Sequence, residues 1–222
     1  MNTKVNGIGM TSQRTRARLI ERLREQGIKD EAVLAAIFEV PRHLFVDEAL
    51  ASRAYDDVSL PINYNQTISQ PYIVARMIEV LRAGDLLPRT LGRVLEIGTG
   101  CGYQAAVLAQ VAREVYTVER IKPLYERARK QLSDLKIRNV SVRYADGSAG
   151  LPEAAPFDGI IMAAAAPTLS AVLREQLAVG GRMVLPVGMQ AQWLYLIERD
   201  ARGFRETQLE PVKFVPLLMG KA

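Results

Sequence analysis

The sequence predicts a doubly wound α/β fold with a mainly parallel sheet, an added helical region before it and an antiparallel edge after it. Three observations carry this prediction. Short apolar runs recur at Val94–Ile97, Val115–Val118, Val140–Tyr144 and Phe157–Met162, and helical patterns follow the first, second and fourth of them. Alternation of this kind implies parallel strands covered on both faces. The first run opens into a glycine turn, VLEIGTGCGYQ, between Val94 and Gln104, where Gly98, Gly100 and Gly102 free the backbone to approach a ligand. Three acids, Glu96, Glu119 and Asp146, stand in turn at the ends of the first three runs, the side of such a sheet where ligands bind.

Taken in order, residues 1–10 are polar, hold two glycines and show no period, so the expectation is a disordered leader, with Met10 as an alternative start. Residues 11–222 form one domain, divided into a helical and substrate-facing region (11–70), a cofactor-binding core (71–187) and C-terminal strands (188–222). Leu19, Ile20 and Leu23 give Thr11–Gln26 a helical stripe that Gly27 stops, and Asp30 caps a second helix running to Glu39 before Pro41. The following PRHLFVDEAL carries the lone histidine, His43, read as a surface or structural residue rather than a general base for want of a partner in sequence. Asp57–Gln70, DVSLPINYNQTISQ, has no period and reads as a polar loop, either a plain connection or a substrate-facing segment. It leads into a helix at Pro71–Leu81, which places Ser69 beside a helix N-terminus, as a cap or as a carboxylate-holding group. After the glycine turn a helix is expected over Gln104–Ala112, another over Leu124–Leu135 and a third over Ala171–Leu177. Gly180-Gly181 is read as the turn into a fifth strand at Arg182–Val187. Trp193–Glu198 and Thr207–Leu217 then read as consecutive strands about a turn near Arg202-Gly203.

Composition narrows the function classes. The chain has 222 residues, 49% of them hydrophobic and 24% charged, which suits one large core. No apolar run has transmembrane length and MNTKVNGIGMTSQRTR lacks the apolar stretch of a signal peptide, so a cytoplasmic protein is expected. The single cysteine, Cys101, cannot form an internal disulfide, and inside a glycine turn it is not read as a nucleophile. The net charge of +5 is spread over helices in which bases and acids alternate. That is a solvated face, not a phosphate-binding stripe, and no nucleic-acid or membrane partner is expected. No metal site is assigned, and the chain is expected to act as a monomer.

The glycine spacing separates two classes of cofactor. A dinucleotide fingerprint needs a third glycine to pack the helix against the strand, and Tyr103 stands in its place. Glu96, two positions before the first glycine, disfavours a diphosphate and favours a cation. S-adenosyl-L-methionine, with a sulfonium, an ammonium and no phosphate, meets that requirement. Glu119 falls where doubly wound folds place the acceptor for ribose hydroxyls, about twenty residues after the first glycine, and Asp146-Gly147 falls where the adenine edge is contacted.

With these motifs in view, the chain resembles the protein-L-isoaspartate O-methyltransferases. The resemblance runs from about Thr11 to Leu218 and rests on VPRHLFVDEA, LPINYNQTISQPYIVARM, VLEIGTGCGYQ, VERI, Asp146-Gly147, LPVG and FVPL. QTISQPY beside VPRHLFV is its most specific part. It implies a class I, Rossmann-like methyltransferase fold and methylation of isoaspartyl carboxylates in damaged proteins and peptides, the first step of their repair. It further implies Ser69 as the active-site serine, with Thr67 and Ile68 beside it on the substrate. Glu96, Gly98, Thr99 and Gly100 fall at the methionine part, Glu119 and Arg120 at the ribose and Asp146-Gly147 near adenine, with S-adenosyl-L-homocysteine as product. Asn63, Tyr64 and Asn65 stand where the family usually shows glycines, and Met162–Pro167 is a slightly altered alanine-proline turn. Two rivals are set against this reading. A nucleic-acid methyltransferase calls for an Asn/Asp-Pro-Pro-aromatic loop after the fourth strand, whereas Ala163–Pro167 has no amide, acid or aromatic. A non-catalytic peptide-binding module would not need the full set of glycines and acids.

Overall fold

The computed structural model describes Val5, residues 7–83 and residues 90–222. The expected leader falls partly on residues 1–4 and 6, outside the described residues; Gly9–Thr11 form a short 3-10 turn. Helix α1, Gln13–Glu25, buries Leu19, Ile20 and Leu23. It ends in a Schellman arrangement, with Ile28 N–H donating to Leu23 O and Gly27 N–H to Arg24 O, and Gly27 at φ +100°. Helix α2, Glu31–Glu39, begins at Asp30, whose carboxylate accepts from Ala32 N and Val33 N, and it stops before Pro41.

The stretch read as a polar loop contains a small hairpin. Strands β1 (Leu60–Pro61) and β2 (Thr67–Ile68) pair antiparallel. Asn63, Tyr64 and Asn65 turn between them at φ +76°, +53° and +55°, the left-handed region that glycine enters without the cost a side chain brings. Helix α3, Pro71–Arg82, starts with proline at its first turn and buries Val74, Ala75, Met77, Ile78 and Leu81.

The sheet follows: β3 (Leu91–Ile97), α4 (Tyr103–Val111), β4 (Ala112–Glu119), α5 (Lys122–Asp134), β5 (Val140–Tyr144), β6 (Phe157–Met162), α6 (Ala171–Glu175), β7 (Leu177–Val187), β8 (Gln192–Asp200) and β9 (Gly203–Val212). Its order is β5-β4-β3-β6-β7-β8-β9, parallel from β5 to β7 and antiparallel from β7 to β9. The predicted fold class and its antiparallel edge are therefore observed. Alternate residues of the central strands enter different cores: Val94, Ile161 and Val184 pack beneath α1–α4, and Leu95, Ile160 and Met183 pack on the opposite face with Leu173 of α6. Chain connections leave β3 toward β4 and leave β6 toward β7, so the order reverses between these two neighbours. A crevice opens there at the carboxyl ends of the strands.

Several boundaries differ from the prediction, most of all around β7 and at the last strand. Helix α6 stops at Glu175, and β7 starts at Leu177 rather than Arg182. The pairing of β6 with β7 jumps from Phe157↔Leu177 to Gly159↔Arg182, and Gly180, at φ +85°, lies within that irregularity. The glycine pair thus bulges a strand already begun. The last strand runs from Gly203 to Val212, not to Leu217. Beyond it residues 213–222 cross the carboxyl ends of the sheet, held by Ala165 N–H to Val215 O and Leu217 N–H to Ala165 O, both 2.8 Å.

Candidate active site

A cleft of about 830 Å³, including its open mouth, lies at the switch point between β3 and β6. Its floor is the turn after β3. Gly98, Gly100 and Gly102 take φ values of +94°, +55° and +87°, a sequence that side-chain-bearing residues adopt only at a cost. Gly98 N–H and Thr99 N–H both donate to Val118 O, which stitches the turn to β4. Glu119 finishes the job: its Oε2 accepts from Gly100 N and its Oε1 from Ile121 N, each at 2.8 Å. A carboxylate oxygen can accept more than once, so both atoms keep capacity for a ligand hydroxyl. Gly147 forms part of the wall, and a Cβ on it would lie 2.5 Å from Ile97 Cγ2.

Facing the glycine turn across the same cleft are Gln66, Thr67, Ile68 and Ser69 of the hairpin. The N-cap of α3 is Gln70, without a side-chain capping bond. Ser69 is therefore not the cap of that helix, and among the described residues no hydrogen bond engages its hydroxyl. Of the residues singled out from sequence, Thr67, Ile68, Ser69, Gly98, Thr99, Gly100, Glu119, Arg120 and Gly147 line the cleft.

Two of the acids do not line it. Glu96 sits beneath the turn, fully buried, with Oε2 accepting from Thr117 Oγ1 and Oε1 without a partner. The same threonine oxygen lies 2.6 Å from Thr99 Oγ1. Burial raises the Glu96 pKa to about 8, against the bond from Thr117. The sequence argument set Glu96 facing a cationic ligand; in the structure it lies beneath the lining, because β3 is central and residues at its end are covered by β4, β6 and the turn above. Asp146 stands next to the lining residue Gly147, with both carboxylate oxygens engaged. Its Oδ1 accepts from Ser148 N and Oγ, and its Oδ2 accepts from Gly220 N at 2.6 Å, the contact that most lowers its pKa.

Other residues at the site were not singled out from sequence. Val215, Pro216, Leu217 and Leu218 form a wall of the cleft, and Arg120 Nε donates to Gly220 O at 2.8 Å. The FVPL motif was the available signal. Arg42, in a segment where only the histidine was weighed for a role, is fully buried and donates from Nη2 to Ser69 O at 2.8 Å. His43 is structural, with Nδ1 2.8 Å from Tyr55 Oη. Cys101 is buried and its thiol is pushed up to about 11, which keeps it protonated at neutral pH and unsuited to attack. Tyr103 is buried at the edge of the cleft, its ring in edge contact with Phe45, centroids 5.6 Å apart.

Comparison with known proteins agrees with the geometry. A family model described as protein-L-isoaspartate(D-aspartate) O-methyltransferase matches residues 14–222. A protein-L-isoaspartate O-methyltransferase of Methylobacillus flagellatus is 62% identical over 220 residues, covering 97% of each chain. One of Nitrosomonas eutropha is 60% identical over 220 residues, covering 99% of this chain and 98% of the relative. Among solved structures, a protein-L-isoaspartate O-methyltransferase superposes with a TM-score of 0.82 at 28% identity, over 92% of this chain and 67% of the other. A beta-aspartate methyltransferase from Plasmodium falciparum, in complex with S-adenosyl-L-homocysteine, superposes with a TM-score of 0.76 at 26% identity, over 91% of this chain and 98% of the other.

Proposed function

The chain belongs to the protein-L-isoaspartate(D-aspartate) O-methyltransferase family, and from that premise we propose that Ser69 orients the isoaspartyl carboxylate for methylation over the Gly98–Gly100 turn. The enzyme transfers a methyl group from S-adenosyl-L-methionine to isoaspartyl residues of damaged proteins, leaving S-adenosyl-L-homocysteine. The observation that carries the residue assignment is the pairing of an unengaged Ser69 hydroxyl with the glycine turn across one cleft.

The cleft fits the cofactor. Gly98, Thr99 and Gly100 offer unobstructed backbone, Glu119 has spare acceptor capacity for ribose hydroxyls, Arg120 borders the same wall, and Gly147, packed against Ile97, lines it as well. Glu96 supports this surface from behind through Thr117 and Thr99, and Asp146 supports its edge through the 147–149 turn. When bound, the cofactor supplies an electrophilic methyl on a sulfonium. The residues of this chain have a simpler task. An acceptor carboxylate with a pKa near ~4 is already ionised at pH 7, so no base is needed, consistent with a buried, structurally engaged His43. Thr67, Ile68 and Ser69 hold the peptide, and alignment of the carboxylate over the glycine turn accounts for the rate, positioning being worth up to roughly 7–11 kcal/mol in favourable systems. The partners are proteins and peptides bearing isoaspartyl residues. In our reading the enzyme acts as a monomer in the cytoplasm, without nucleic-acid or membrane partners; the mixed-sign charge of its helices supports the absence of a nucleic-acid partner, and among the described residues no helix is long and apolar enough to cross a membrane.

Ser69→Ala tests the assignment. Single-turnover methylation of an isoaspartyl peptide at saturating cofactor should fall by about 10-fold or more, for loss of a bond worth roughly 1.5–3 kcal/mol to a charged group. Affinity for S-adenosyl-L-homocysteine and the denaturation midpoint should stay near wild type. An unchanged rate would remove Ser69 from the mechanism.

A further inference from the structure

Arg42 is the largest fully buried side chain among the described residues. Its Nε donates to Ala54 O and its Nη2 to Ser69 O, both at 2.8 Å, with a longer contact from Nη2 to Val58 O at 3.5 Å. The guanidinium lies 4.7 Å over the Tyr103 ring centroid, and Nη1 has no hydrogen-bond partner. Among the described residues Arg42 pairs with no carboxylate. Burial lowers its pKa, yet an arginine begins so far above neutrality that it stays charged.

The nearest ionisable groups, Tyr103, Cys101 and Tyr55, offer no counter-charge. Burial holds the Cys101 thiol up at about 11 and the Tyr55 hydroxyl at about 12, and raises that of Tyr103. A buried cation without an anion is costly and is rarely kept without a use. Three backbone carbonyls and a ring face could be served by a smaller neutral donor. What they do not explain is a full charge directly behind the backbone of the residue proposed to hold an anion.

We infer that Arg42 is a positioning residue of the acceptor site, tying the Ser69 backbone to the Tyr103 ring and supplying the positive charge that favours a carboxylate at the Ser69 hydroxyl. The inference rests on the assignment of Ser69 to the acceptor. Its two parts leave different signatures. Methyl transfer joins a negative acceptor to a positive donor and both charges vanish, so a fixed cation stabilises the bound carboxylate more than the transition state. The charge therefore acts on binding, whereas the tie to Ser69 O acts on alignment and hence on rate.

The test uses the full chain with two variants and a pair of peptides that differ only in the isoaspartyl carboxylate or a carboxamide in its place. Arg42→Gln keeps a donor for Ser69 O but removes the charge. Calorimetry in the presence of S-adenosyl-L-homocysteine should show at least 10-fold weaker binding of the carboxylate peptide, with the carboxamide peptide changed less than 3-fold and KM rising in parallel. Arg42→Lys keeps the charge but cannot span the carbonyls of Ala54 and Ser69. It should retain the carboxylate preference within about 3-fold while the single-turnover rate at saturating peptide falls about 10-fold. A Gln variant with wild-type preference, or a Lys variant with wild-type rate, overturns the inference. Should the Gln variant not fold, the Lys variant decides alone, since loss of its preference despite a retained charge is equally fatal. Ser69→Ala, run alongside, separates the two readings: if it methylates at the wild-type rate, the acceptor assignment itself fails whatever Arg42 does.

Discussion

Glu96 illustrates how a single residue can be placed correctly along the chain and still be misjudged in its charge. Its position at the end of β3 follows from the apolar run Val94–Ile97, a local pattern. Its full burial follows from β4 and β6 flanking that strand, a non-local fact with no trace in an eleven-residue motif. The same holds for Arg42, whose partners Ala54 and Ser69 lie 12 and 27 residues away. The Glu96 pKa of about 8, against a usual 4.5, makes stability depend on pH. A carboxyl whose folded-state pKa is raised binds its proton more tightly when folded. The advantage of the protonated native state is complete below pH 4.5 and is lost as pH rises through 8. Wild type should therefore lose stability, relative to Glu96→Gln, between about pH 5 and 8, by on the order of a few kcal/mol. Urea denaturation of both proteins at pH 5, 7 and 9 measures this. Parallel pH profiles would mean that the Glu96 carboxyl is not held neutral by the fold.

At the scale of elements, what was legible depended on how much of the pattern was local. Strand β6 occupies Phe157–Met162 as predicted, because a parallel strand buried on both faces is an uninterrupted apolar run with sharp ends. Strand β7 starts five residues early because its first pairing, Phe157↔Leu177, precedes the bulge that the glycines create. The hairpin at 60–68 was read as a loop since two-residue strands are too short to show a period. Its turn carries a test. Tyr64 is exposed and sits at φ +53° between two asparagines that also have positive φ. A left-handed conformation costs a side-chain-bearing residue roughly 1–2 kcal/mol, of which glycine's greater unfolded-state entropy returns up to about 1. Tyr64→Gly should accordingly raise stability by about 0.5–1 kcal/mol, read as a shift in denaturation midpoint without a change in slope. A destabilised variant would mean that the tyrosine ring makes contacts that outweigh its backbone strain.

Across the whole molecule, the last ten residues join elements far apart in sequence and close the cofactor side of the cleft. Val215 and Leu217 bridge to Ala165 after β6, Gly220 is held between Asp146 Oδ2 and Arg120 Nε, and residues 215–218 line the cleft itself. Asp146 thus anchors a chain segment beside the expected adenine position, and its Oδ1 is filled by Ser148 while Oδ2 has accepted one bond. The remaining capacity of Oδ2 is what an adenine amine could use. Asp146→Asn can still accept from Ser148 N, but its amide nitrogen cannot accept from Gly220. The Gly220 amide should then exchange with solvent at least 10-fold faster by NMR, and affinity for S-adenosyl-L-homocysteine should fall about 10-fold, as expected for weakened bonds to a charged group. Global stability should move by less than about 1 kcal/mol, because residues 218–222 are exposed and such segments open without the core. Unchanged exchange at Gly220 would show that Arg120 and the Ala165 bridges hold the segment by themselves, and would leave Asp146 as the cap of its own 147–149 turn.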